Sequence, residues 1–177
     1  MSDTDDQISM DLGVEVEPSA WARWVDTSRQ TIQARKFMDY AGILEVPAEL
    51  WTESESPELM AERKSADAAV AELFPDMAAM RSTERADMAD AYLCFLGQCF
   101  ANFARASWYD SPVGRERSFY PDVNPALHYG FKGSTDQTAW QLMEVMFEEA
   151  KEYDYGLFSV MVDFMGEYKE ECKFVPE

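Results

Sequence analysis

The chain has 177 residues, 34 of them acidic and 15 basic, for a formal charge of −19. One domain is the simplest division of that length, and 47% hydrophobic with 14% aromatic residues argues against a disordered chain. The acidity disfavours direct contact with a phosphate backbone, and no apolar run approaches the roughly 18 residues that a membrane-spanning helix needs.

Residues 1–16 carry acids and few large apolar groups, and they read as a flexible acidic arm in which Val14 and Val16 are candidates for a short edge strand. Residues 17–177 read as one globular α+β domain, mostly helical, with about five helices. The first is predicted from Pro18 to about Tyr40, with Trp21, Trp24, Val25, Ser28 and Ile32 on its inward face. A connection bounded by Gly42, Pro47 and Pro57 follows, with a helical turn near Trp51.

From Pro57 to Phe74 the stripe Leu59, Arg63, Ala66, Val70 and Leu73 predicts a second helix that Pro75 stops. The third, from about Ser82 to Ala106, is apolar around much of its circumference and should be the central one. Gly97 costs that helix roughly 1 kcal/mol relative to alanine, so another element is expected to approach closely there.

Beyond it lies WYDSPVGRERSFYPDVNPALHYGF, Trp108 to Phe131, where turn signals at 111–114 and 122–125 separate short aromatic runs. A small antiparallel β-meander near residues 107–131 is predicted, with strands at 107–110, 117–120 and 126–131. A capping-box pattern at Ser134 to Gln137 predicts the start of a fourth helix. The fifth runs from about Asp154 to Cys172, burying Leu157, Met161, Phe164, Met165 and Tyr168.

Few chemistries find their residues here. Cys94, Cys99 and Cys172 form no paired framework, and with the acidic start MSDTDDQISM they predict a reducing, cytoplasmic setting. His128 is the only histidine, so neither a matched zinc set nor a carboxylate di-iron pattern can be assembled. Gly130 to Asp136, GFKGSTD, lacks the Gly-Lys-Ser/Thr ending of a phosphate-binding loop and reads as a strand-to-helix turn. No cofactor is expected, and with thirty-four acids no carboxylate pair stands out as catalytic.

Tyr92 to Trp108, YLCFLGQCFANFARASW, resembles small acidic bacterial cytosolic proteins of the toxin-immunity type, in which Y-x3-L-G-[EQ] on a helix precedes a tryptophan-bearing strand. Tyr92, Leu96, Gly97, Gln98 and Trp108 carry the resemblance, whereas Ala106-Ser107 stands where a glycine commonly precedes the tryptophan. The resemblance implies a non-enzymatic inhibitor that occludes a basic protein partner, such as a secreted toxin.

Acidity also raises association rates with basic surfaces, although it serves solubility as well. Candidate contacts are Arg115, Glu116 and Arg117 at the tip of the aromatic segment, with Tyr120 and Asp122 beside it. Two rival expectations are a DNA-mimic blocking a nucleic-acid-binding effector and a small enzyme built on carboxylates or His128.

Overall fold

The computed structural model describes residues 16–174. Apart from Val16, which is exposed and outside any strand, the expected arm lies outside the described residues. Among the described residues the fold is α+β, mostly helical, with seven helices and a three-stranded antiparallel sheet. Five of the helices are long: α2 (Thr27–Ala41), α3 (Pro57–Leu73), α5 (Ala86–Ala104), α6 (Ala139–Tyr153) and α7 (Leu157–Cys172). Two are short: α1 (Ala20–Trp24) and α4 (Met77–Met80).

Helix α5 is the axis that its composition predicted. Tyr92, Leu93, Phe95, Leu96, Cys99 and Phe100 are fully buried, and the helix packs against α2 on one side and α7 on another. Around it, Phe37 of α2, Trp51 of the connection and Phe158 of α7 close an aromatic cluster on Phe95, with ring centroids 5.1–6.5 Å apart.

The first predicted helix is two. Asp26 caps α2 by accepting a hydrogen bond from the Arg29 amide at 2.9 Å, which ends α1 at Trp24 and restarts the helical phase. The inward face of α2 is therefore Gln30, Ala34, Phe37, Met38 and Ala41. Ile32, expected inward, is 66% exposed.

The sheet also differs from the expected meander. Strands β1 (Ser107–Asp110) and β2 (Pro125–His128) pair as Trp108 with Leu127 and Tyr109 with Ala126. The third strand is β3 (Gln137–Thr138), pairing with β2. Residues 117–120 form no strand. Instead the Ser118 hydroxyl accepts from the Tyr120 amide and donates to the Val123 carbonyl, so the chain turns before Pro121. The capping box likewise falls later than predicted: Thr138 and Gln141 form it, and α6 starts at Ala139.

Two close approaches fix the layers. A Cβ on Gly97 would lie 2.0 Å from Nε1 of Trp108, so β1 rests its indole directly on the central helix, as the lone glycine implied. At the start of α7, Gly156 is the N-cap and has no side chain to offer. Asp67 of α3 supplies the cap, accepting from the Ser159 amide at 2.8 Å and its hydroxyl at 2.6 Å.

Asp67→Ala is expected to lower stability by about 1–2 kcal/mol, the range for a lost helix cap. Gly156→Ala, whose Cβ would lie 2.2 Å from the same carboxylate, should show a similar loss in urea denaturation because it displaces the cap. Equal stability of both variants with the parent would refute the remote cap.

Candidate functional site

The alternation of the strands sends Tyr109, Ala126 and Thr138, paired across the sheet, to the face opposite Trp108 and Leu127. That face floors a cleft of about 670 Å³. One wall is the 111–117 segment, and the other is Asp136 with Trp140, Gln141 and Glu144 around the start of α6.

The 111–117 wall is built by short-range hydrogen bonds. Asn124 donates from Nδ2 to the Val113 carbonyl at 2.7 Å, and its amide donates to Asp110 at 2.8 Å. Gly114 takes a left-handed φ of 74°, after which Arg115–Arg117 form a single 3-10 turn. Asp110 also holds Arg115 at 2.7 Å, so one of the tip cations is neutralised from within.

Glu116 and Arg117 line the cleft. Arg117 reaches Glu144 only at 3.8 Å with both side chains exposed, a contact of small energetic weight. Glu116 makes no ion pair within 4.0 Å with another described residue. The cleft thus presents three carboxylates, Glu116, Asp136 and Glu144, to a single arginine. Burial, then a hydrogen bond to Asp136 and the charge of that carboxylate, push the Tyr109 phenol above its ordinary value.

The structure divides the sequence-predicted contacts. Arg115, Glu116 and Arg117 stay together at the tip, but Tyr120 turns inward and Asp122 borders a separate hollow with Trp24, Arg29 and Tyr120. The Tyr120 hydroxyl donates to Asp90 at 2.6 Å, and its ring meets Trp24 edge-on at 5.5 Å. Burial, followed by the Asp90 charge, pushes that phenol well above its usual value.

Sequence reasoning missed Asp90, which is only 6% exposed. Its Oδ1 accepts from Trp24 Nε1 at 3.2 Å and from Tyr120, while its Oδ2 accepts from Arg29 at 2.6 Å and Gln33 at 2.5 Å. The available signal was an acid within Ala89-Asp90-Ala91-Tyr92-Leu93, where every neighbour is buried. Four donors on one carboxylate satisfy it fully and tie α1, α2, α5 and the 118–120 turn together.

His128, read from the sequence as without a partner, has one. Its Nδ1 lies 3.0 Å from Asp136 Oδ1, with the imidazole 59% exposed. The Cys94 thiol is pushed up to about 12, by burial first and then by Asp90. Burial raises Cys99 as well, so neither sulfur is poised as a thiolate nucleophile.

Among the described residues, no group of three or more His, Cys, Asp and Glu side chains is placed to hold a metal ion. No helix there is long and apolar enough to cross a membrane.

No protein-family model, curated protein or solved structure matches the chain. Of the residues behind the expected immunity-type resemblance, Tyr92 and Leu96 are fully buried and Gly97 receives Trp108, while Gln98 is part-buried.

Proposed function

We propose that this chain is a non-enzymatic binding protein that occludes a basic protein partner, in the manner of an immunity protein neutralising a toxin. The observation that carries the reading is the cleft under the tip, where Glu116, Asp136 and Glu144 face one arginine in a chain of net charge −19. A lysine- or arginine-bearing loop entering it would meet carboxylates on both walls and apolar surface from Val113 and Trp140. The field of the whole molecule would raise its association rate. The exposed His128–Asp136 pair and the raised thiols give less support to an enzyme.

The test is affinity capture from the native host, with the parent chain and a Glu116→Lys, Glu144→Lys variant side by side. The parent is expected to retain a basic protein and inhibit its activity, with the variant at least about 10-fold weaker, mainly through slower association. A captured nuclease displaced by DNA would move the function to phosphate mimicry. Equal capture by parent and variant would remove the cleft from the interface.

A further inference from the structure

At the far end of the α6–α7 pair from its sheet side lies a groove of about 330 Å³. Glu149 and Tyr153 line it from α6, one helical turn apart, while Asp163, Phe164 and Glu167 line it from α7. Tyr155, in the connection between the helices, closes one side. Among the described residues no basic side chain lines it.

Two physical features combine there. Tyr153 is 66% exposed and Tyr155 is 41% exposed, large aromatic surface that the core does not use. Interleaved with it are three carboxylates, Glu149, Asp163 and Glu167. An aromatic face attracts a cation through its quadrupole, and nearby carboxylates add direct charge attraction. Neither feature suits an apolar helix or an anion: the carboxylates would be buried without partners under the first and would repel the second.

We infer that this groove is a docking site for an arginine or lysine side chain of a basic protein segment, held between Tyr153 and Phe164 and ringed by Glu149, Asp163 and Glu167. The inference stands on the groove's own residues and does not rest on the tip cleft. Burial holds the Asp163 carboxyl above its ordinary value, against the charge of Arg63 and a hydrogen bond from Tyr155, which lower it. Arg63 of α3 acts on it by charge and makes no ion pair within 4.0 Å with another described residue. The Glu152 and Glu149 charges hold the Tyr153 phenol upward and neutral, so the ring keeps its uncharged face for a cation.

The probe is the peptide acetyl-Gly-Arg-Arg-Gly-amide, with its citrulline counterpart as the uncharged control, titrated into the isotope-labelled full chain at 0.15 M salt. At that ionic strength attraction beyond about 8 Å is screened. The expected result is saturable chemical-shift change at Tyr153, Tyr155 and Phe164 with the arginine peptide and none with citrulline. Tyr153→Ala and Glu149→Gln should each weaken binding, and together by at least 10-fold. Both positions are at or near the surface, so unchanged circular dichroism is expected alongside.

Glu116→Lys at the tip should leave the groove's response intact, which keeps this result separate from the fate of the cleft. Shifts spread evenly over every acidic face, shifts confined to the tip, or equal binding by the double variant would each overturn the inference.

Discussion

Asp90→Ala is expected to lower the stability of the fold by about 3 kcal/mol, measured as a shift of the urea midpoint with an unchanged slope. The substitution removes the acceptor shared by Trp24, Arg29, Gln33 and Tyr120. A lost partner leaves buried donors with their full desolvation penalty, about 1–3 kcal/mol each when water cannot reach them.

Two circumstances hold the sum down. Arg29 keeps 32% of its side chain exposed and also donates to the Trp24 carbonyl at 3.2 Å, so water and backbone take up part of its charge. Because the donors share one acceptor, losses must be less than additive: Tyr120→Phe in the Asp90→Ala background should cost less than in the parent. A midpoint shift worth under about 1 kcal/mol would mean that the network is solvated rather than structural.

Gly97→Ala carries the second large effect, and its sign separates two principles. Helix propensity alone favours alanine by about 1 kcal/mol at an interior position. The added Cβ, however, would sit 2.0 Å from Nε1, 2.7 Å from Cε2 and 3.0 Å from Cζ2 of Trp108. A stiff indole wedged edge-on against Trp24 at 5.5 Å cannot yield by rotating one terminal atom.

Overpacking of this kind costs about 1–3 kcal/mol, and a displaced β1 adds to it. A net loss of about 2 kcal/mol is expected in thermal or urea unfolding, partly recovered when Trp108→Leu is added. A stabilised Gly97→Ala would show that the indole is free to move aside.

These two sites also mark what sequence can and cannot disclose. Gly97 was legible because a glycine inside an otherwise unbroken apolar helix has few physical reasons to be there, and the close approach it implied is Trp108. Asp90, seven residues earlier, was not singled out. With thirty-four acids in the chain, one more on a helix carries little weight until its buried neighbours are weighed with it.

The periodicity of residues 18–40 runs straight through Asp26, whose cap breaks it, and so places Ile32 on the wrong face. Residues 117–120 carry a short aromatic run between turn signals, which reads as a strand, but the Ser118 hydroxyl bonds local backbone and wins that competition. Of the candidate cleft, the 111–117 wall was legible through the turn signal at 111–114 and the mixed charge of Arg115, Glu116 and Arg117. The opposite wall, Asp136 and Glu144, lies about 20–30 residues on and reaches it only through the short strand β3, a two-residue element with no pattern of its own.

The cap that Asp67 lends to α7 bears on the order of events in folding. The two partners are 92 residues apart in sequence, so the first turn of the last helix cannot complete its hydrogen bonding until α3 has come alongside. Closing so long a loop is slow to be rewarded, since its entropy is spent before the contact forms. The α7 start is therefore expected on the late, native side of the folding barrier, so that Asp67→Ala speeds unfolding and leaves the folding rate nearly unchanged in stopped-flow measurements. On that expectation Asp67 is a latch on the closed molecule, bearing less on finding the fold than on how long the fold persists.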